Sequence, residues 1–433
     1  MPRVALVVPY FPPESSGGVF RALKLAPRLF HHGWNPVVFT VENPGTALDE
    51  SLLKELPAEL PVVRIPASAA RRLQRGPLRR LGFAFEALGL TANTEVQWEQ
   101  LTERLIEEHL KSPFDLVFSS SPPAAAHRAI LAALDTISPA TRPPWVADFR
   151  DPWRRGFTYH PASDAEANAD VRDEGRTLHH ASVITTTVYT SMLASCMEHS
   201  LNGDRLVWVP NGYDPRDVAG LPASPAPPAQ PSREQPWRFG YAGSMYGAYN
   251  ISIFIEGLAH LLEARPDLRG AVVLDCYGPR NKDFIARIGQ PDLYSAVRYH
   301  GYIEHREVLE ALSACHWVLV AMPQDPRAQD TVSGKLYEFL AARMPVLAFV
   351  SPDGAIAKLL HETRGGRVIA EQNPKEVAVE LARLIDGSHG DPQLPEAPVS
   401  FLPFLARYSR DAIAEDFVKV FQRAIEHPRV IPS

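Results

Sequence analysis

Short apolar runs alternate with longer stretches of helical spacing along most of the chain. Val4–Val8, Val37–Val41, Leu116–Phe118, Trp145–Ala147, Val183–Thr186 and Leu206–Val209 are Val-rich and lack strict alternation. That is the pattern of strands buried on both faces of a parallel sheet. The stretches between them are long enough to hold crossover helices, beginning with Val19–Phe30. From Pro210 to Pro236 the pattern stops: Pro215, Pro222, Pro225, Pro227, Pro228, Pro231 and Pro236 stand among small and polar residues. Such a stretch carries no regular helix or central strand and predicts a linker. Alternation then resumes, with strands at Phe239–Ala242, Val272–Tyr277, Val318–Val320, Val346–Val350 and Arg367–Ile369. Between them fall helices at Ile251–Leu262, Arg306–Ala314, Lys335–Ala342, Ala355–His361 and Lys375–Ile385. The fold class expected is α/β, with domains over residues 1–214 and 237–400 and a Pro-rich linker over 215–236. A C-terminal helix within 401–433, patterned over Asp411–Arg423, is expected to pack back across the domains.

Composition narrows the class. With 433 residues, 45% hydrophobic and 22% charged, the chain has enough apolar surface for sizeable cores, so a disordered protein is excluded. A net charge of −6 provides no global basic field for nucleic acid. Cys196, Cys276 and Cys315 lie far apart without a C-x-x-C, which excludes a thiol zinc site and a disulfide scaffold and fits a reducing cytoplasm. The run Val4–Val8 breaks at Pro9, too short for a signal peptide, and no stretch of about 18 apolar residues predicts a membrane span. One basic stretch stands apart: Arg71, Arg72, Arg75, Arg79 and Arg80 interleave with Leu73, Leu78, Leu81, Phe83 and Phe85, interrupted at Gly76-Pro77. Peripheral contact with anionic lipid at an inner membrane face, a solvated arginine face and a loop gripping an acidic acceptor are all open readings.

Candidate chemistry gathers where loops follow strands. Gly17-Gly18 stands between the first strand and first helix, as a tight turn or as a loop offering N–H groups to a ligand. Ser119-Ser120-Ser121 with His127, and Asp148, Arg150 and Asp151, follow later strands of the same domain. The acids and Arg150 suit hydroxyl binding or a structural ion-pair network, and a lone histidine is often a satisfied core group. In the second half, Gly243-Ser244, Gly278-Pro279-Arg280, His300-Gly301-Tyr302 and Asp330 to Glu338 are expected to converge as four loops from one sheet face. Gly243 and Ser244 offer donors to a phosphate, and Arg280 and Lys335 offer charge. Glu338, on a helix starting near Ser333 and Gly334, can accept from a ribose diol or pair with Lys335 on the surface. No Asp-x-Asp pair follows a strand and neither H-E-x-x-H nor G-x-S-x-G occurs, so no metal or cofactor is expected.

These motifs, in order, carry a resemblance. Tyr10-Phe11-Pro12-Pro13, Gly17-Gly18, Arg21, Gly33-Trp34, Ala147 to Trp153, Pro210 to Asp214 and Lys335 to Leu340 resemble bacterial group 1 glycosyltransferases of the GT4 type. The likeness runs from Val4 to about Ile385. It implies a GT-B fold, two Rossmann-like domains facing each other across a cleft, and metal-independent sugar transfer with retention. The donor would be a nucleotide sugar, most often a UDP-sugar, held by the second domain. The acceptor would be a glycan, a lipid-linked sugar or a small molecule, held by the first. The family's E-x7-E motif falls on Asp330 and Glu338, with Asp330 towards the sugar hydroxyls and Glu338 towards the ribose. His127 approximates the family's histidine after that strand. Gly243 to Tyr249 lacks the family's Arg and Lys, which shifts the diphosphate onto Lys335, Arg280 and glycine N–H groups, with Tyr302 and Ser333 beside them. The same fold admits a sugar-nucleotide 2-epimerase and a silent nucleotide-sugar-binding subunit as alternatives.

Overall fold

The Val-rich runs form two parallel sheets. In the computed structural model, residues 1–72, 94–228, 230–245, 251–323, 325–370, 373–387 and 405–427 are described. They divide into two units, Met1–Asn211 with Arg410–Ser433, and Gly212–Ser409. The first sheet contains β1 (Arg3–Val7), β2 (Asn35–Val41), β3 (Val62–Ile65), β4 (Leu116–Ser121), β5 (Trp145–Phe149), β6 (Val183–Thr186) and β7 (Leu206–Trp208). Its order is β3-β2-β1-β4-β5-β6-β7, parallel throughout. Helices α1 (Val19–His31), α2 (Thr94–Lys111), α3 (Ala125–Thr136), α4 (Asp164–His180) and α5 (Tyr189–Glu198) provide crossovers and cover. One face buries Ala5, Val7, Phe39 and Trp145 with Leu101, Ile130 and Leu178. The other buries Val4, Leu6 and Phe118 with Leu25 and Leu29 of α1 and with Phe417 and Phe421.

The second sheet contains β8 (Trp237–Ala242), β9 (Val272–Tyr277), β10 (Val297–Gly301), β11 (Trp317–Ala321), β12 (Val346–Phe349) and β13 (Gly366–Ile369). Its order, β10-β9-β8-β11-β12-β13, repeats the first sheet's plan. Its helices are α6 (Ser252–Ala264), α7 (Lys282–Ile288), α8 (His305–Ser313), α9 (Gly334–Ala341), α10 (Ala355–Thr363) and α11 (Pro374–Asp386). Phe254, Leu258, Val377 and Leu381 of α6 and α11 close one face over Phe239, Leu274 and Phe349.

Several expectations change. The Pro-rich stretch belongs with the second unit, where Pro228 O accepts a hydrogen bond from Trp237 Nε1 (3.3 Å). The last helix, α12 (Arg410–Glu426), lies in the first unit, where Phe417 packs edge-on to Phe118 at 5.5 Å and Arg28 pairs with Asp411 at 2.6 Å. Strands β3 and β10 escape an apolar search because both are sheet edges, half exposed along their length. Strand β4 runs on through three serines, all buried, because the first two hydroxyls find partners inside.

A buried ion pair ties the first unit together. Arg21 on α1 meets both carboxylate oxygens of Asp148 on β5, Nε at 2.9 Å and Nη2 at 2.7 Å. The hydroxyls of Ser120 and Thr185 donate to the same oxygens at 2.7 Å each. Burial alone would raise the Asp148 carboxyl, but the Arg21 charge and these four hydrogen bonds together hold it below its ordinary value. Arg21→Met strands this carboxylate in the core, and urea denaturation is expected to show a loss of about 3–5 kcal/mol. His127 has the opposite character. Burial pushes its pKa down to about 3, so the folded imidazole stays neutral while the unfolded one protonates near 6.5. Its contribution is therefore complete above pH 6.5 and lost as pH falls towards 3. Between pH 7 and 5.5 the wild type is expected to lose about 1.3 kcal/mol more than His127→Gln in paired urea titrations.

Candidate functional site

In both sheets the strand order reverses beside the first strand, between β1 and β4 and between β8 and β11. Open parallel sheets bind ligands outside the carboxyl ends of strands at such a reversal. In the second unit, Gly243 follows β8 and its N–H donates to Tyr277 O at 2.9 Å. Gly278, after β9, has φ +125°, and a Cβ there would collide with the Gly243 carbonyl. The two glycines thus let the strand ends meet backbone to backbone.

Lys335, in the first turn of α9, reaches the same place: Nζ donates to Ala242 O at 2.6 Å. A Cβ on Gly243 would stand 3.2 Å from that Nζ and 2.7 Å from Tyr241 Oη. The Lys335 side chain is exposed as a whole; packing around its ammonium end pushes it below the ordinary lysine range, and Glu338 pulls the other way. Ser333 caps α9 without a side-chain hydrogen bond, and the space beside Gly334 is open. Ser244 is half-buried, its carbonyl accepting from Tyr241 Oη at 3.1 Å. Arg280 is exposed with its guanidinium 4.6 Å from the Tyr299 ring centre, and Tyr299 Oη donates to Gly278 O at 2.7 Å. Tyr302 is exposed beyond β10, and Asp330 is half-buried in the loop before α9.

Glu338 departs from a surface pair with Lys335. It is 9% exposed, and its Oε1 accepts from His305 Nε2 at 3.2 Å. One atom each of Asp217, His305 and Glu338 lie within 4.8 Å of one another, a set that can hold a divalent ion. The motif search missed it because the three residues come from three separate elements. His305 carries a faint signal as the first residue of an amphipathic helix, next to Arg306.

The first unit sorts its candidates differently. Asp148 is fully buried, and its four hydrogen bonds use its lone pairs, so it serves the fold rather than an acceptor. His127 is fully buried as well, with Nδ1 2.8 Å from Ser119 Oγ, which also accepts from Trp145 Nε1 at 2.8 Å. Its ring lies 4.5 Å from that of Phe149, and Nε2 has no hydrogen-bond partner among the described residues. A group so enclosed does not touch substrate, which removes His127 from the catalytic set. Arg150 and Asp151 stay in play. Arg150 Nε donates to Ser121 O at 3.0 Å, Nη2 to Pro122 O, and Nη1 lies where a Cβ on Gly18 would stand. Gly17, beside it, is exposed with open space around it. Desolvation pushes the Arg150 guanidinium down, opposed by Asp151, and pushes the Asp151 carboxyl up, opposed by Arg150. The segment that follows is stapled to α4: Trp153 Nε1 and Tyr159 Oη donate to Asp170 at 3.1 and 2.9 Å, and Arg154 Nε to Glu174 at 2.8 Å.

Of the basic stretch, Arg72 donates to Glu42 at 2.9 Å and Arg71 to Gln97. Arg75, Arg79 and Arg80, with their interleaved apolar residues, lie outside the described residues, as do Tyr246 to Tyr249. Among the described residues no helix is long and apolar enough to cross a membrane.

Residues 237–387 match the family described as Glycosyl transferases group 1. Curated proteins compared by sequence give no match. Solved structures do. HepE from Anabaena in complex with UDP is 13% identical, with a TM-score of 0.59 over 98% of this chain and 100% of that one. Sucrose-phosphate synthase from Thermosynechococcus elongatus is 14% identical, with a TM-score of 0.64 over 98% and 100%. An E. coli structure described as trehalose-6-phosphate bound with UDP-2-fluoro glucose is 12% identical, with a TM-score of 0.64 over 97% and 99%. The chain therefore has the GT-B fold of two Rossmann-like halves, and residues 237–387 of its second unit match the group 1 glycosyltransferase family.

Proposed function

We propose that the protein moves a sugar from a UDP-sugar to a hydroxyl acceptor in the cytoplasm, with retention at the anomeric carbon and without a metal. The observation that carries this reading is the convergence at the end of β8. There the Ala242–Gly243 backbone, Gly278 and Lys335 Nζ come together at a strand reversal in a group 1 glycosyltransferase domain. UDP or a UDP-sugar occupies several structures of the same fold, which favours a uridine donor.

In this reading the bond from C1 to the diphosphate oxygen breaks and its electron pair leaves with UDP. The acceptor oxygen bonds to C1, and its proton passes to the departing phosphate, so no separate base is required. Negative charge grows on that phosphate, where Lys335, the N–H groups of Ser244 and Gly334, and Arg280 would meet it, while the Gly243 N–H stays on Tyr277 O. Ser333, at the α9 amino terminus, and Tyr302 flank the donor, Asp330 faces its sugar hydroxyls, and Glu338 takes the ribose diol. Gly17, Gly18, Arg150 and Asp151 shape the acceptor side. A lipid-linked acceptor would give Arg75, Arg79 and Arg80 a peripheral membrane role. With a soluble acceptor these arginines would serve its binding site or have no part in the reaction.

Lys335→Ala is expected to lower kcat by more than it weakens donor binding, because the lysine charge matters most when the phosphate leaves. Glu338→Ala should do the reverse, costing roughly 1.5–3 kcal/mol of UDP affinity by calorimetry. Both enzymes and the wild type should keep their rates in EDTA. An epimerised donor, or UDP binding with no transfer to any acceptor tried, would contradict transferase activity. Gly243→Ala probes the convergence itself. Its methyl would stand 2.7 Å from Tyr241 Oη and 3.2 Å from Lys335 Nζ, so the lysine must move. A drop of roughly tenfold or more in kcat with an unchanged circular dichroism spectrum is expected.

A further inference from the structure

We propose that His305 is a positioning residue for donor recognition, setting the Glu338 carboxylate for the ribose hydroxyls. This rests on the donor-site reading above. Glu338 sits in the middle of α9 with 9% exposure, and a carboxylate so placed requires polar partners. An ionised carboxylate only accepts hydrogen bonds, so the 3.2 Å contact requires His305 to present Nε2–H to Oε1. Each carboxylate oxygen accepts more than one hydrogen bond, so Oε1 can hold the imidazole and still meet a hydroxyl. The contact therefore fixes the plane of the carboxylate without consuming it.

His305 is held in turn. It is the first residue of α8, and its neighbour Arg306 donates to the carbonyls of Arg216, Asp217 and Ala219 at 3.4, 2.9 and 3.0 Å. These bonds fasten the start of α8 to the short helix Pro215–Val218. From that helix Asp217 brings a carboxylate oxygen within 4.8 Å of a Glu338 oxygen. Its like charge opposes a swing of Glu338 towards the short helix. Tyr337, the residue before Glu338, packs its ring 4.9 Å from Tyr408, whose carbonyl accepts from Tyr213 N at 3.0 Å. Glu338 is thus braced from α8 on one side and along its own helix by Tyr408. A plain surface pair would show neither the burial nor the bracing.

The test is calorimetric titration of the full chain with UDP and with 2′-deoxy-UDP, using wild type, His305→Ala, His305→Gln and Glu338→Ala. His305→Ala is expected to weaken UDP binding roughly fivefold and to change 2′-deoxy-UDP binding much less. His305→Gln, whose amide also donates, should recover most of that loss. In turnover, His305→Ala should raise the donor KM with kcat nearly unchanged. Equal losses for both ligands, no recovery in the Gln variant, or a wild type that loses the same affinity in EDTA would overturn the proposal. The EDTA result would instead make Asp217, His305 and Glu338 a metal site. Unchanged UDP affinity in Glu338→Ala, or no UDP binding by the wild type, would overturn the donor-site reading itself.

Discussion

The first unit depends on the ion pair between Arg21 and Asp148. Four of the five guanidinium N–H groups are engaged there: two on the Asp148 carboxylate, one on Pro210 O and one on Val209 O. The guanidinium carbon lies 4.9 Å from the centre of the Phe417 ring on α12. One side chain therefore joins the first helix, the middle of the sheet, the segment leaving the first unit and the helix that returns to it. Replacing such a pair with apolar residues can leave stability unchanged, so its value lies in which packing it permits. In the placement of α1 and α12 seen here, one guanidinium meets Asp148, the two carbonyls and the ring together. Ser120 and Thr185 complete the arrangement by making β4 and β6 part of the same polar knot.

The second unit solves its local problem by contact rather than charge. Gly243 and Gly278 allow two strand ends to approach more closely than any side chain would permit, and Lys335 fills the space beside them. The approach lets Lys335, from the first turn of α9, bring its ammonium to the Ala242 carbonyl at the end of β8. An anion needs several donors fixed beforehand, because donors that must reorganise lose their advantage when charge develops. The glycine pair spends its own N–H groups on Tyr277 O and Gly301 O, and its close contact leaves room for the Lys335 ammonium at the end of β8. It also explains why a loop without Arg or Lys after β8 need not lack a cation: the lysine arrives from α9.

How much of this was legible in the sequence follows from what each residue's signal depends on. Central strands announced themselves because both faces are buried. The edge strands β3 and β10 did not, since one face meets solvent and their apolar residues thin out. Ser119 and Ser120 give no strand signal because their hydroxyls' partners, His127, Trp145 and Asp148, lie on other elements and are met only in the folded chain. For the same reason Asp148 and His127 looked like site residues. A polar residue satisfied deep in a core and one waiting for a ligand have identical letters. Motif and resemblance mark Gly243 and Lys335 as site residues. Their mutual contact was not visible, and neither was His305, whose link to Glu338 is purely tertiary.

The titratable groups divide along the same lines, and the division bears on the kind of catalysis this chain can support. In the first unit, Asp148 is held ionised by four hydrogen bonds and His127 is held neutral by burial, so neither is available to exchange protons near neutral pH. Proton transfer in catalysis requires a group whose pKa lies near the working pH and within reach of the reacting atoms. The groups gathered at the end of β8 instead offer fixed dipoles and a cation. That set suits a reaction in which the leaving phosphate carries the charge and takes the acceptor's proton.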